Sequence, residues 1–374
     1  MPNTPSTRRD FLRATGASLA TAPFLSPTTA AGQTPASPPA RTFGYAVVGL
    51  GGLSLSDILP AFAHTTRARL TGLVSGDVDK SRALAAQYGV PDKGLYSYDT
   101  YDRIADNPDI DAVYIVLPNN MHAEYTIRAH KAGKHVLVEK PMANTVKECE
   151  DMIAAARAAA RKLAVAYRLR YEPYTQTMIK MARGGEYGKT KVLLCEAGFN
   201  IGNPNQWRLT KKMGGGGSMM DIGIYAVNAA RYLAGEEPTE LFAMEYSTPN
   251  DPRFKEVEET LTFQLRFPSG ILANCVSSYG TSLNRIRVHQ EKGSFEMEPF
   301  YNRRDLRMRV IRGNTVEHRY MADPDHFARM MDHLAECAAE GKEPLTDGVD
   351  GLNDMKIIMG CYESVRTGAV VKLA

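Results

Sequence analysis

Short apolar runs alternating with helical stretches over residues 42–166, then β-branched segments in series beyond residue 170, predict two successive architectures. The first is an α/β Rossmann arrangement, a doubly wound parallel sheet built from repeated β–α units. The second is a C-terminal α+β domain with a large, mostly antiparallel open sheet. A further observation orients the first half: its opening strand breaks directly into glycines, and a helix follows.

That strand is residues 45–48, and the turn reads Gly49-Leu50-Gly51-Gly52-Leu53-Ser54 before a helix expected to start over 57–62. Gly49 permits a tight turn. Gly51 lets backbone N–H groups approach a pyrophosphate at the positive end of the helix. Gly49, Leu50, Gly51, Gly52, Leu53 and Ser54 are therefore candidate dinucleotide-binding positions. Ser54 stands where the fingerprint carries Gly or Ala, and is still small enough for close packing. Further strands are expected at 70–75, 111–117, 135–138 and 163–166, with helices at 79–88, 122–132 and 146–160. The 111–117 run is wholly apolar, as a strand covered on both faces must be. Ligands of such sheets lie at the carboxyl ends of the strands.

Beyond a helix at 171–183, strands are expected at 191–199, 239–246, 257–267, 270–278, 285–289, 293–298 and 306–312. A helix at 218–234 interrupts them, and helices at 325–339 and 349–366 close the chain. This divides the chain into a nucleotide domain, 42–166, and a substrate and oligomerisation domain, 167–374, with the active site at their junction.

The start of the chain reads as a targeting segment. Arg8-Arg9 within Thr7 to Arg13, a modestly apolar stretch at 14–25 and small residues at 28–31 resemble a twin-arginine export signal over 1–31. Residues 32–41, with Pro35, Pro38 and Pro39, are expected to form an extended arm. A periplasmic location follows. The 374 residues are 44% hydrophobic and 23% charged with net charge +3, too little to suggest nucleic acid or an anionic membrane as partner. No apolar run of about 18 residues predicts a membrane span. Cys149, Cys195, Cys275, Cys337 and Cys361 are odd in number and lack C-x-x-C spacing, so they read as buried thiols. No His, Cys or carboxylate cluster has metal-ligand spacing, and no metal is expected.

The tip of the second strand, Ser75-Gly76-Asp77-Val78-Asp79-Lys80, bears on the choice of cofactor. An NAD site places a carboxylate there for the ribose hydroxyls. Ser75 at the tip and Lys80 on the next helix suit a 2′-phosphate better, which favours NADP. Asp77, two residues late, is the competing reading. Ser75 and Lys80 could equally be a helix cap and a solvated lysine.

Two strings carry a family resemblance: Gly133-Lys134-His135-Val136 leading to Glu139-Lys140-Pro141, and Gly214-Gly215-Gly216-Gly217-Ser218 leading to Asp221 and Tyr225. They resemble the Gfo/Idh/MocA oxidoreductase family. Asp-x-x-x-Tyr in place of the commoner Asp-x-x-x-His is similar to its glucose–fructose oxidoreductase branch, as are Leu117-Pro-Asn119, Tyr167-Arg168 and Gln206-Trp207-Arg208. Bacterial aldose–aldose oxidoreductases share these motifs. The likeness runs from about residue 41 to the C-terminus. It implies ribose and nicotinamide contacts at Tyr98, Leu117, Asn119, His122 and Glu139, further cofactor or sugar contacts at Arg168, Trp207, Arg208 and Tyr301, and a homodimer or homotetramer.

The chemistry of the catalytic candidates stands beside the resemblance. Lys140, at a strand's carboxyl end, could polarise a sugar hydroxyl and stabilise a developing alkoxide, and burial beside another cation would lower its pKa. Asp221 and Tyr225, four apart, share one helical face. The phenol, hydrogen-bonded to the lysine, would pass a proton, and Asp221 would orient the substrate. The expected activity is a ping-pong sugar oxidoreductase with tightly bound NADP. One aldose is oxidised at C1 to an aldonolactone, and a second aldose or a ketose is reduced to an alditol. An ordinary NADP-dependent sugar dehydrogenase and a catalytically idle sugar-binding relative are the alternatives.

Overall fold

The computed structural model describes residues 42–322 and 324–373. The expected export signal and proline-rich arm, 1–31 and 32–41, lie outside them. The first sheet is parallel throughout: β1 (Phe43–Val48), β2 (Ala68–Val74), β3 (Leu95–Tyr96), β4 (Ala112–Ile115), β5 (His135–Val138) and β6 (Leu163–Val165), in the order β3-β2-β1-β4-β5-β6. Strand order reverses between β1 and β4, where Val48 pairs with both Val74 and Ile115. The crevice beyond their carboxyl ends is where ligands of such sheets bind. Only β3 escapes the sequence reading, since two residues give no periodic signal.

The helical stretch after the glycine turn starts at residue 52, earlier than expected, and is irregular. It runs through a π turn (Ser54–Ile58), a short α segment (Leu59–Ala61) and a 3-10 turn (Phe62–His64). Pro60 lacks an N–H and crowds the carbonyl four residues back, so a widened turn ahead of it relieves the clash.

The second sheet has nine strands in the order β14-β13-β12-β11-β7-β10-β9-β8-β15. They are β7 (Thr190–Gly198), β8 (Glu240–Tyr246), β9 (Thr260–Arg266), β10 (Leu272–Ser278), β11 (Leu283–Gln290), β12 (Gly293–Met297), β13 (Met308–Arg312), β14 (Thr315–Arg319) and β15 (Val371–Lys372). Only β7 and β10 pair in parallel. β14 was missed because its side chains are polar and mostly exposed, so no alternation marks it. Helices Pro173–Gly184, Ile224–Ala234 and Gly348–Thr367 cover one face of this sheet. On the other, Met244, Tyr246 and Leu272 stand exposed.

The helix His326–Glu340 returns to the first sheet. Its Phe327, Met331 and Leu334 share a core with Tyr45, Val47 and Leu73. The Tyr45 hydroxyl donates to the Met331 carbonyl at 2.9 Å, and Asp332 accepts from the backbone N–H groups of Thr66, Arg67 and Ala68 ahead of β2. All five cysteines are free and buried. Among the described residues no helix is long and apolar enough to cross a membrane.

Candidate active site

Lys140 leaves the carboxyl end of β5 on a cis Lys140–Pro141 bond and meets the start of the long second-domain helix. That helix opens with a π turn (Met219–Gly223) before its regular part. A π turn leaves a backbone carbonyl out of the usual ladder. Here the Asp221 carbonyl accepts from Lys140 Nζ at 2.5 Å, and Asp221 Oδ1 lies 3.1 Å from the same nitrogen. Asp221 Oδ2 accepts from the Tyr279 hydroxyl at 3.0 Å and pairs with Arg208 Nε at 3.2 Å.

Burial pushes the Lys140 ammonium down, but Asp221, Tyr225 and Glu139 together outweigh it, and its pKa stands above the ordinary lysine value. Lys140 is therefore not the lowered acid–base group the sequence suggested: its charge is matched by a carboxylate in direct contact. Burial likewise pushes Asp221 up, yet Lys140, Arg208 and two hydrogen bonds bring it to about 2. Asp221 is thus the shared ion-pair partner of Lys140 and Arg208. Tyr225 does share its face, but the lysine lies 5.0 Å over the phenol ring, a cation–π contact, rather than on its hydroxyl. Arg168 approaches the same ring at 5.5 Å, and Tyr301 stacks on it at 5.7 Å.

Residues that no short motif announces hold this arrangement. The buried Glu258 carboxylate accepts from Gly217 N and Met219 N, both at 2.9 Å, and from the Tyr362 hydroxyl at 3.0 Å. A side chain on Gly217 would strike the Glu258 carbonyl at 2.1 Å, and one on Gly216 the Tyr362 hydroxyl at 2.0 Å. The glycine run is needed so that Glu258 can cap the helix that carries Asp221 and Tyr225. Glu258 and Tyr279 are remote in sequence from the residues they hold, so only the paired strands β9 and β10 reveal them.

Residues 43–167 match the model of an oxidoreductase family with an NAD-binding Rossmann fold, and residues 175–296 match the GFO/IDH/MocA C-terminal domain. The chain belongs to the Gfo/Idh/MocA oxidoreductase family. Among solved structures, aldose-aldose oxidoreductase from Caulobacter crescentus, complexed with glycerol, is 47% identical with a TM-score of 0.87, covering 89% of this chain and 100% of that one. D-xylose 1-dehydrogenase (NADP(+)) of Haloarcula marismortui is 30% identical over 336 residues, 88% of this chain and 92% of its own length. Levoglucosan dehydrogenase, at 21% identity and a TM-score of 0.77, shares the fold.

The Gfo/Idh/MocA nucleotide cradle fits a dinucleotide. A side chain on Gly49 (φ +93°) would meet the Val116 carbonyl at 2.3 Å, so the turn itself requires glycine. Around Gly51 and Gly52 a side chain would meet nothing within 4 Å. The protein's own packing does not need glycine there; a pyrophosphate approaching the exposed backbone would. Leu50 and Ser54 are buried, with the Ser54 hydroxyl donating to the Gly49 carbonyl at 2.6 Å, and Leu53 is half-buried.

At the tip of β2, Asp77 caps the helix Val78–Tyr88 by accepting from Lys80 N at 3.0 Å. Ser75 Oγ accepts from Asp77 N at 3.1 Å, which leaves its own proton free for a ligand, and Lys80, in the first turn of that helix, is half-buried. The Tyr98 ring lies over Gly76.

Most of the other expected contact residues also hold backbone or neighbouring side chains. Leu117 packs on the Gly49 turn, and Asn119 donates to the Gly214 carbonyl at 2.9 Å. His122 is clasped between the carbonyls of Leu117 and Pro141, at 2.9 and 2.8 Å. Glu139 is buried and accepts from the Tyr114 hydroxyl at 2.7 Å, burial pushing its pKa up. Arg168 donates to the carbonyls of Tyr301 and Asn302. The Arg208 guanidinium lies 4.5 Å over the half-buried Trp207 ring. Among the described residues no group of three or more metal-binding side chains occurs.

Proposed function

We propose that this chain is an NADP-dependent sugar oxidoreductase that keeps its cofactor through successive turnovers. It oxidises an aldose at C1 to an aldonolactone and reduces a second aldose, or a ketose, to an alditol. The observation that carries the reading is the partly buried constellation of Lys140, Asp221, Arg208 and Tyr225 at the carboxyl end of β5, in a chain 47% identical to an aldose-aldose oxidoreductase. NADP bound at the glycine turn would take the C1 hydride from one sugar and return it to the next.

The protein's side chains supply the rest. Lys140, held charged by Asp221, stabilises negative charge developing on the sugar oxygen as hydride leaves C1. Tyr225, beneath the same ammonium, takes the hydroxyl proton and gives it back to the carbonyl oxygen of the second sugar. Trp207 and Arg208 offer a ring face and a cation to the sugar. Each half-reaction is the reverse of the other in protons and hydride, so the enzyme ends each cycle unchanged. NADP rather than NAD is favoured because Asp77, the carboxylate nearer the β2 tip, caps a helix and Asp79 faces solvent, while Ser75 and Lys80 stand available.

Two features of context belong to the same reading. Twin-arginine export of a folded, loaded enzyme to the periplasm explains why the cofactor must be kept, since little free NADP is available there. The open face of the second sheet, with Met244, Tyr246 and Leu272 exposed, suits a homodimer or homotetramer. The second reading, a dehydrogenase exchanging free NADP, is favoured by the likeness to the Haloarcula enzyme. To separate them, purified protein is incubated on single sugars and sugar pairs with no added nicotinamide. Lactone and alditol in equal amounts support the proposal; turnover only with NADP supplied in bulk supports the dehydrogenase.

A further inference from the structure

The segment 298–305, between β12 and β13, is fastened to both halves of the molecule. On the second-sheet side, Asn284 Oδ1 accepts from Phe300 N at 2.7 Å and Tyr301 N at 3.1 Å, while the Tyr301 hydroxyl donates to the Gly198 carbonyl at 2.7 Å. Arg168, just beyond β6, donates to the carbonyls of residues 301 and 302. Two residues after Tyr301, Arg303 Nη1 reaches Asp57 Oδ2 at 2.6 Å, on the helical stretch that opens at the glycine turn. A cleft of about 430 Å³, lined by Ser56, Asp57, His64, Arg303, Arg304 and His326 among others, flanks that ion pair.

We propose that this segment is a strap across the nicotinamide half of a bound dinucleotide, and that the Arg303–Asp57 pair is its latch, setting how slowly the cofactor leaves. The inference rests on the retained-cofactor reading. In a sheet of this order the pyrophosphate lies at residues 49–54 and the nicotinamide near Lys140. The strap touches both places: Tyr301 stacks on Tyr225 beside Lys140, and Arg303 grips Asp57 beside the glycine turn. A dinucleotide between them leaves only after one attachment opens. The Tyr301 end is held by hydrogen bonds to backbone carbonyls and N–H groups. The Arg303 side chain meets Asp57 in an ion pair at the surface, with the arginine 51% exposed, so this attachment opens first. Neither Arg303 nor Asp57 belongs to the catalytic constellation, and their role is positional.

The test compares wild type with Arg303→Gln, Asp57→Asn, the double variant and the charge-reversed pair Asp57→Arg with Arg303→Asp. Release of NADP from the loaded full-length protein is followed by stopped flow against an NADP-scavenging enzyme. Each single variant is expected to release cofactor about two- to fivefold faster, the range of a half-exposed ion pair. The double variant should be no faster than either single, and reversal should restore slow release. Wild-type rates in both single variants would overturn the latch. So would slower release in Asp57→Asn, because Arg303 would then be holding phosphate directly. If wild type is isolated empty, the retained-cofactor reading fails by itself. The latch is then judged by release of added NADP, with the same expected order.

Discussion

Two largely enclosed clusters of charge, close in the fold, are built from the same residue types and end in opposite states. At the cleft, Lys140 and Arg208 face one carboxylate, Asp221, whose pKa falls to about 2. Behind it, Arg231 and Arg170 face three: Arg231 pairs with Glu237, Asp350 and Asp354, and Arg170 with Asp350. Asp354, wholly buried and also bonded by Asn228, is pushed up by burial and by Asp350 against the pull of Arg231, to about 6. An excess of cations at a cleft suits charge developing on a sugar oxygen. An excess of carboxylates around a buried arginine, one of them wholly buried, suits a structural clamp that takes up a proton. The count of charges around a buried pair, more than the pair itself, decides which it becomes.

The sharpest break in that comparison is Lys140→Ala. It removes the cation proposed to meet the reacting oxygen, and sugar turnover should fall by about 10³–10⁴-fold with little change in melting temperature. Arg231→Met should do the reverse. The wholly buried Asp354 and the partly buried Asp350 lose their shared cation, which costs about 3–5 kcal/mol of stability, read as a large drop in melting temperature with activity per folded molecule preserved.

Asp221→Asn probes the coupling inside the first cluster. Without its anion, Lys140 keeps only the weaker pull of Tyr225 and Glu139 against burial, so its pKa falls. The wild-type ammonium, raised, stays charged through the alkaline range; in the variant the alkaline limb of the kcat profile should move to lower pH, with roughly 10–100-fold lower kcat. Asp354→Asn has the smallest effect and the clearest sign. A carboxyl whose folded pKa is about 6, above about 3.9 when unfolded, contributes stability that is complete below the unfolded value and lost as pH rises through about 6. Melting temperature in wild type should decline between pH 4 and 7 by an amount set by roughly 2–3 kcal/mol, and the variant should lack that slope.

The sequence made legible what backbone geometry demands. Gly49, the apolar 111–117 run and Lys140 at the end of a strand each follow from local rules, and each stands where those rules put it. Asp221 and Tyr225 were found on one face, but their partners were not readable. Tyr279 and Glu258 reach the catalytic helix only because β9 and β10 run beneath it, and no spacing encodes that. The misreading of Lys140 as a lowered acid–base group has the same origin. Burial is visible in an apolar strand, while the counter-ion that outweighs it arrives from 81 residues away. His122, Asn119 and Arg168 teach a related lesson: polar residues near a cofactor site can be spent on holding the backbone that binds it.

The most direct measurement is the cofactor content of the mature protein, by ultraviolet absorbance after exhaustive gel filtration, followed at once by turnover of a sugar pair without added nicotinamide. Near one NADP per chain, with matched lactone and alditol formation, is the result expected of an enzyme that carries its own hydride acceptor. Empty protein that converts sugars only when NADP is supplied in excess would contradict it.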